Sequence, residues 1–405
     1  MPLNPIVLSI PIFFILIGLE VFYDRVRKKG VYRFNDALTN ISCGITEQVS
    51  GVFAKVFTVT LYYLVYEHVR LFTVPTDWYW LVLLFLMVDF AYYWAHRWSH
   101  EVNLFWAGHV VHHQSEEYNL SVALRQGVFQ KFFTSFIYLP IALLGFDPYW
   151  FLLLAAFNTL YQFWIHTQFI GRMGWLEYVL NTPSHHRVHH GRDPKYIDKN
   201  HAGSLIIWDK MFGTFQAEEE SPNYGITSPV NSWNPVFAQV QHLGMIWQDV
   251  NRVQGLANKF RVIFGKPGWL PESMGGYRKP EVVAPNYQKF DTEVPLPVNV
   301  YVLLHYLFML AGTSYFLFNL NAFNWTEKGV FAGLIFLTSA SLGLLLENHK
   351  QARKLERVRL LLTTGILIIT IGKATVLLLA TCSISLIGLK LLDKSLNNTF
   401  HEKMA

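Results

Sequence analysis

Charged residues are scarce in this sequence, and their scarcity indicates its class. Asp, Glu, Lys and Arg make up 15% of the 405 residues, whereas hydrophobic residues make up 52%. Soluble domains carry about 25% charged residues, so a soluble surface could not cover this much apolar side chain. Aromatic residues reach 16%, and Trp and Tyr favour the membrane–water interface. We therefore expect an all-α integral membrane protein that crosses the bilayer several times.

Cysteine and basic tracts are also nearly absent. The two cysteines, Cys43 and Cys382, lie far apart and form no C-x-x-C pair, which argues against a disulfide framework and against thiolate metal ligands. The net charge is only +5, and no basic tract is interleaved with aromatic residues, so we expect no nucleic-acid partner. A glycine-rich dinucleotide fingerprint and a haem-binding segment are missing as well, which favours an external reductant.

Long hydrophobic runs define the expected membrane spans. A span needs about 20 mostly apolar residues. The first run ends at Asp24 and a basic stretch, with no small-residue cleavage site, so it is expected to be a retained helix. We predict a helical bundle of about eight or nine spans, from the segments 6–23, 49–66, 78–95, 129–146, 149–165, 298–318, 329–346, 358–372 and 374–392.

Basic loops predict the orientation of these spans. The run from Arg25 to Lys29 and the basic loop 348–359 are expected in the cytosol, and counting spans from them puts every histidine cluster at the cytosolic face. The expected division is N-terminal spans at 1–77, a catalytic region with a cytosolic cap at 78–297 and C-terminal spans at 298–405. The membrane would be the endoplasmic reticulum in a eukaryote or the inner membrane in a bacterium.

Histidine is abundant, with 16 residues, and it is clustered. Three motifs, H-R-W-S-H, H-V-V-H-H and H-R-V-H-H, space their histidines three or four positions apart, so each set shares one face of a helix. Such convergence suits a metal, whose ligand atoms lie about 2 Å from a common centre. Solvent-exposed surface histidines are the alternative, which three clusters at one bilayer face disfavour. The motifs contain His96, His100, His109, His112, His113, His186, His189 and His190.

Two further histidines are candidates beside these eight. His166 ends the fifth span, either as a ligand or as an interfacial side chain, and His185 competes with His186 for the first place in the last motif. A structural zinc site is usually one tetrahedral set that contains Cys. Eight or nine imidazoles without a thiolate instead favour a pair of redox metals that activate O₂, and we expect two iron ions.

The motifs and their flanking residues resemble a known family. H-x-x-x-H, H-x-x-H-H and H-x-x-H-H in this order are typical of the membrane fatty acid hydroxylase/sterol desaturase superfamily. The stretches D-F-A-Y-Y-W-A-H-R-W-S-H-E, W-A-G-H-V-V-H-H-Q-S-E-E-Y, N-T-P-S-H-H-R-V-H-H-G-R and L-I-I-W-D-K-M-F-G-T-F are similar to the alkylglycerol monooxygenases, or glyceryl-ether monooxygenases. The resemblance is strong from about residue 35 to 270.

This resemblance implies an O₂-dependent monooxygenase that uses tetrahydrobiopterin, with a reductase system that recycles the pterin. It would hydroxylate the carbon next to the ether oxygen of 1-O-alkylglycerols in the membrane, giving a hemiacetal that collapses to a fatty aldehyde and glycerol. The eight clustered histidines, with His166, would bind two iron ions. Glu101 matches an acidic position tied to activity through the pterin, and an ordinary exposed carboxylate is its alternative. The family pattern has Tyr where this chain has His201, which is either an added ligand, a group that supports a ligand, or a surface substitution.

Two other functions compete with ether cleavage. A sterol or fatty-acyl hydroxylase or desaturase of the same superfamily, with cytochrome b5 as electron donor, would share the metal ligands. A membrane zinc-binding or transport protein would need ionisable residues at mid-membrane depth, whereas these histidines lie at the ends of the spans. The sequence does not choose between substrates.

Three polar residues near the motifs have two interpretations each. Asp89, inside the third span, either fixes the tautomer of a ligand imidazole or caps a neighbouring helix. Arg125 and Arg187 either hold the head group of the substrate or form structural salt bridges.

Overall fold

The structure, a computed structural model, describes residues 5–371 and residue 388. In these residues the regular structure is helical, and the β-structure consists of two isolated bridges, Leu180 with Leu205 and Gly191 with Tyr224. The all-α expectation is confirmed. The chain divides into two compact units, residues 1–230 with 238–289 and residues 231–237 with 290–405.

The first unit carries the predicted catalytic motifs. Four of its helices correspond to predicted spans, two short helices lie within one further predicted span, and the others lie outside the predicted spans. They are α1 (Pro5–Arg27), α2 (Phe34–Val69), α3 (Trp78–Glu101), α4 (Asn103–His113), α5 (Gln130–Thr134), α6 (Leu139–Leu144), α7 (Pro148–Trp164), α8 (Pro183–His189), α9 (Ile207–Phe212), most of α10 (Pro235–Arg252) and α11 (Leu256–Phe264).

Four helices are long and apolar enough to cross a membrane among the described residues. They are α2 and α3 of the first unit, and Leu296–Phe318 (α12) and Trp325–Leu346 (α13) of the second. Each contains a predicted span, so the membrane-protein class is confirmed. The predicted segment 358–372 overlaps Ala352–Ile371 (α14), and 374–392 lies outside the described residues. The total of eight or nine spans stays a prediction.

Helix α2 is longer than a bilayer requires. Its 36 residues extend about 54 Å, against an apolar thickness of about 30 Å. The first half buries polar side chains inside the unit, among them Asp36, Asn40 and Glu47. The second half exposes apolar ones such as Val56 and Phe57. The predicted span 49–66 therefore corresponds to the second half only.

The predicted span 129–146 is interrupted. A 3₁₀ turn at Ser135–Tyr138 separates α5 from α6, and Pro140 lies at the start of α6. Proline has no N–H to donate to the preceding turn, so it starts a new helix more readily than it continues one. The turn Asp147-Pro148 is as predicted, because the Asp147 side chain accepts a hydrogen bond from the backbone N–H of Tyr149 and begins α7.

A hydrophobic core fixes the positions of α2, α3, α6 and α7. Tyr62, Leu84, Ile141 and Phe151 are buried together, and the rings of Tyr62 and Phe151 stack with centroids 4.1 Å apart. Burial of side chains of this size stabilises the packing by about 1.5–3 kcal/mol each. This core holds α3 as far as Ala91, and the first histidine motif begins in the part of the helix that follows.

Candidate metal centre

Four segments carry the nine predicted ligands, which all lie buried in the first unit. Helix α3 ends with His96 and His100 one turn apart, and the short helices α4 and α8 carry the two H-x-x-H-H motifs. His166 follows directly after α7. Together these segments bring the nine imidazoles into two groups, each with its ligand atoms within 4.8 Å of one another.

The first histidine group consists of His96, His100, His109, His113 and His189. Four of its rings form a square, with neighbouring centroids 4.6 Å (His96–His109), 4.9 Å (His109–His113), 4.7 Å (His113–His189) and 4.4 Å (His189–His96) apart and the His109–His189 diagonal at 6.4 Å. His100 lies 4.8–5.3 Å from all four. The group is therefore a square of imidazoles capped by His100.

The second histidine group consists of His112, His166, His186 and His190. The rings of His112 and His186 are on opposite sides, with centroids 6.3 Å apart. His166 and His190 are 5.1 Å apart, closer than opposite corners of a square. One side of this group therefore has no imidazole from the group itself.

The two groups touch each other along one face. His113 and His190 stack with centroids 4.4 Å apart, and His186 and His189 stack at 5.0 Å. Each H-x-x-H-H motif divides its histidines between the groups, because its adjacent residues point to different sides of the helix. Two neighbouring ions are thus possible.

The outer edges of several imidazoles are fixed by the backbone. A carbonyl oxygen only accepts a hydrogen bond, so a ring nitrogen bonded to it carries the hydrogen and the other nitrogen presents a lone pair. The sequence gives no signal for these contacts, since any residue type offers a carbonyl. The Nδ1 atoms donate to carbonyls in four pairs: His96 to His201 at 2.7 Å, His112 to Arg125 at 2.9 Å, His166 to Gln162 at 2.7 Å and His189 to Lys199 at 2.9 Å.

The inner Nε2 atoms are as close as ligands of one ion. His96 and His109 bring Nε2 atoms within 2.8 Å, and in the second group His166 and His186 bring theirs within 3.0 Å. Neighbouring nitrogens around an ion at about 2.1 Å would be about 3 Å apart. One ring of each of these pairs can donate an N–H to the other, but His112 and His166 both keep their hydrogen on Nδ1. Their Nε2 lone pairs therefore face each other at 3.2 Å and repel unless a cation lies between them, so the residues fit a metal ion.

Burial keeps the imidazoles in the form that binds a metal. The nine side chains are at most 7% exposed. Removal from water lowers the pKa of His112 to about 4 and that of His189 to about 3, because burial penalises the charged form. These imidazoles are therefore neutral at pH 7, and the Nε2 atom of His189 has no hydrogen-bond partner among the described residues.

Three other predicted site residues lie outside both groups. Glu101 ends α3, and its half-exposed carboxylate accepts a hydrogen bond from Arg97 Nε at 2.9 Å. The His185 ring packs against Phe215, with centroids 5.4 Å apart, so His186 supplies the first place in the last motif. His201 is buried beside the first group, 5.0 Å from the His100 ring, and is not a surface substitution.

Asp89 has a structural role. Its carboxylate accepts hydrogen bonds from the side chains of Asn158 and Trp208 and from the backbone N–H groups of Ser204 and Leu205. These groups belong to α7, to the segment that leads into α9 and, for Trp208, to α9 itself. None of the four donors is a histidine, and the two backbone N–H groups precede the N-cap residue Ile206, which has no side-chain cap. Asp89 therefore joins α3 to α7 and to the α9 segment, and the bonds match neither the tautomer-fixing nor the helix-capping interpretation.

Arg125 and Arg187 are both held by the protein. Arg187 makes a bidentate salt bridge to Glu218, with distances of 2.7 and 2.6 Å. Arg125 donates to the Val111 carbonyl at 2.7 Å and to Gln114 at 2.8 Å. Neither guanidinium is placed for a substrate head group, because its hydrogen bonds are already made.

Comparisons with known proteins agree with this arrangement. Residues 81–214, which contain all nine histidines, match the family model "Fatty acid hydroxylase". The chain is similar to human alkylglycerol monooxygenase, with 42% identity over 357 residues that cover 87% of this chain and 80% of that protein. It is similar to the Xenopus tropicalis enzyme at 41% over 86% and 79%, and to the Caenorhabditis elegans enzyme at 34% over 81% and 69%.

No solved structure matches the chain. The relatives above exceed 30% identity, and the chain covers more than two thirds of each. The resemblance seen in the motifs is confirmed over nearly the whole sequence. The chain belongs to the alkylglycerol monooxygenase family and is an oxygen-dependent monooxygenase of lipid metabolism.

Proposed function

We propose that this protein cleaves the ether bond of 1-O-alkylglycerols. One atom of O₂ would enter the C–H bond next to the ether oxygen, and the other would leave as water with two electrons and two protons from a reductant. The resulting hemiacetal breaks its C–O bond and yields a fatty aldehyde and glycerol. The observation that carries the proposal is the pair of touching histidine groups in a chain of this family.

The metals proposed for the two groups are iron ions. The ligands would be the nine imidazoles, five in the first histidine group and four in the second. Neutral imidazoles without a thiolate suit iron, and a closed structural zinc site would not need nine of them. When bound, the iron pair supplies the redox chemistry that activates O₂.

The chain's own residues prepare this chemistry. The carbonyls of His201, Gln162 and Lys199 keep the hydrogen on Nδ1 of their partner imidazoles and so keep the Nε2 lone pairs directed inward. Burial excludes water from the groups, which limits side reactions of the oxidant. An alkyl chain bound beside these helices would have to be held in register with the metals.

Tetrahydrobiopterin is the proposed electron donor, and Glu101 the residue proposed to bind it. Its carboxylate directly follows His100, is 38% exposed and is oriented by Arg97. A carboxylate accepts hydrogen bonds from the N–H groups of a pterin ring. A soluble cofactor can reach this exposed edge while the buried histidines stay dry. A separate reductase would return the oxidised pterin to its reduced form.

The proposed location is the cytosolic face of a cellular membrane. Helix α3 supports a location at a membrane face, because its N-terminal half is apolar and its last turns carry His96 and His100. The cytosolic side is proposed from the basic loops. An alkylglycerol lies with its chain in the bilayer and its head group at the interface. Histidines at the end of a span would meet the ether bond at that depth.

Turnover with different reductants tests this proposal. Purified, iron-loaded protein is given a fluorescent 1-O-alkylglycerol with tetrahydrobiopterin, with cytochrome b5 and NADH, or with neither. Aldehyde is expected only with the pterin, and it should be lost in His189→Ala and kept in His185→Ala. Turnover of a sterol or acyl substrate with cytochrome b5, and none of the ether, would overturn the proposal in favour of a hydroxylase of the same superfamily.

A further inference from the structure

The loop Asp198–His201 borders three ligands of the first histidine group. The Lys199 carbonyl accepts from His189 Nδ1, and the His201 carbonyl accepts from His96 Nδ1. Asp198 faces His100, the capping imidazole, with 3.8 Å between Oδ1 and Nδ1. Three of these four consecutive residues thus face three imidazoles that come from two different helices.

The backbone of this loop is shaped for these contacts. Asp198 and Asn200 both have left-handed φ angles, +58° and +55°, which Asp and Asn tolerate better than most residues. The Asn200 side chain donates to the carbonyls of His185 at 3.0 Å and Gln216 at 2.7 Å. Residues with left-handed φ angles therefore alternate with ordinary ones along the loop. This backbone shape turns the carbonyls of Lys199 and His201 and the carboxylate of Asp198 toward the histidine group.

A buried carboxylate anchors the end of the loop. Asp209 is fully buried and accepts hydrogen bonds at 2.8 Å from the backbone N–H groups of both His201 and Ala202. Thr214 donates to the same carboxylate at 2.6 Å. The loop is therefore fixed relative to α9, and the positions of its carbonyls and of Asp198 follow from that anchor.

His100 is distinguished from four other imidazoles of the site by its outer partner. His96, His112, His166 and His189 are held by backbone carbonyls, whereas the outer nitrogen of His100 faces a carboxylate. The separation of 3.8 Å is about 1 Å beyond a hydrogen bond, so the two groups face each other at ion-pair distance. A carboxylate partner raises the basicity of a metal-binding imidazole more than a neutral carbonyl does.

We propose that Asp198 is a positioning residue for the first metal ion. Its carboxylate accepts a hydrogen bond from His100 Nδ1–H and thereby holds the capping imidazole on that ion. Asp198 acts through His100 and touches neither substrate nor pterin. The inference rests on the proposed iron centre. It gives one imidazole of the first group a carboxylate as the partner of its Nδ1 atom, and it gives no imidazole of the second group such a partner.

Lys266 offers a control for this role. Its Nζ lies 3.0 Å from Asp198 Oδ2, and its side chain is 52% exposed. Replacing Asp198 removes this ion pair together with the partner of His100, so Lys266→Gln shows what loss of the ion pair alone does. Asp193 is a second control, since it is also an Asp near the last motif and its carboxylate accepts hydrogen bonds from the backbone N–H and the side chain of Asn223 rather than from a histidine.

Loss of ferrous iron to a coloured chelator, without oxygen or substrate, tests the inference. Wild-type holoenzyme should release two ions per chain. In Asp198→Asn one of the two should leave about 10–100-fold faster while the other keeps its wild-type rate. Lys266→Gln and Asp193→Asn should release both ions at wild-type rates. Circular dichroism of each variant verifies that the helices are intact.

A double-mutant comparison separates the positioning role from a general loosening of the loop. If Asp198 acts through His100, then Asp198→Asn should add nothing to the release rate in a His100→Ala background. Wild-type rates for both ions in Asp198→Asn, or an equal further increase in the His100→Ala background, would overturn the inference and leave the iron centre standing. Wild-type protein that binds no iron would instead refute the proposed centre itself.

Discussion

Two adjacent histidines in α8 provide a sharp test of the site. His185 and His186 follow each other in the chain and both are buried. The His186 ring lies 4.3 Å from that of His166 and 4.8 Å from that of His190. The His185 ring turns away and packs on Phe215. Replacing each with alanine removes the same atoms, but only one substitution removes an imidazole of the second histidine group.

The expected magnitude follows from the size of that group. A site with four protein ligands binds its ion with about 10–16 kcal/mol in small zinc domains, which is about 2.5–4 kcal/mol per ligand. His186→Ala removes one of four imidazoles. We therefore expect the second ion to bind about 100- to 1,000-fold more weakly. His185→Ala should lower the free energy of unfolding by about 1–3 kcal/mol, because it leaves a cavity beside Phe215. It should leave the binding of both metal ions unchanged.

Iron content and thermal unfolding of the purified variants measure both effects. His186→Ala should retain about one ion per chain and lose turnover. The ion in the first histidine group should bind with the wild-type affinity. His185→Ala should retain two ions and melt at a lower temperature. Two tightly bound ions in His186→Ala, or loss of an ion in His185→Ala, would refute the division of the nine histidines into the two groups.

Three further predictions concern residues around the groups. Glu101→Gln should raise the KM for tetrahydrobiopterin about tenfold or more with iron content unchanged, since the charge is lost but no ligand is; an unchanged KM would exclude the carboxylate from the pterin site. Asp89→Ala leaves four donors without their acceptor and should destabilise the fold by about 3–5 kcal/mol; an unchanged melting temperature would contradict this. Gly127→Ala puts a Cβ 1.8 Å from the Gly108 carbonyl oxygen and should displace α4 and lower the iron content. In contrast, Gly51→Ala meets open space and should not, so equal iron contents in the two variants would argue against the displacement.

Local spacing predicts which histidines come together, because it depends only on helix geometry. Residues four apart share a face, and the pairs His96–His100, His109–His113 and His186–His190 each stay in one group. The expectation that a whole motif converges on one point is wrong, because His112 and His189 fall in the other group from the rest of their motifs. The structure brings all nine histidines together, while their role as iron ligands stays a prediction. The sequence could not predict that His109 and His112 belong to different groups, because that depends on how α4 packs against α8 and α3.

Contacts made by the backbone are the part of the site that sequence reasoning misses. The carbonyls of Arg125 and His201 hold His112 and His96, yet no residue type marks a carbonyl that points at a ligand. The charge of Arg125 suggested a role for its side chain, but its backbone carbonyl is the group that accepts from His112. His201 departs from the family pattern in its side chain, whereas its backbone carbonyl accepts from His96 at 2.7 Å.

Predictions of membrane spans fail where polar residues face protein. The first half of α2 carries polar side chains that are buried inside the first unit. Their polarity lowers the hydropathy of that half, so the predicted span covered only the second half. Hydropathy also predicted one continuous span, 129–146, across Pro140. The missing N–H of that residue instead divides α5 from α6. Asp89 in α3 lies among donors from α7 and the α9 segment, partners that no local pattern reveals.

The source of the oxygen atom in the product tests the central claim most directly. Turnover of a 1-O-alkylglycerol under ¹⁸O₂, with immediate reduction of the aldehyde to the alcohol, fixes the label before it exchanges with water. Hydroxylation next to the ether oxygen predicts one ¹⁸O atom in the fatty alcohol and none in the glycerol. Label in the glycerol, or in neither product, would contradict ether cleavage by hydroxylation of the alkyl carbon.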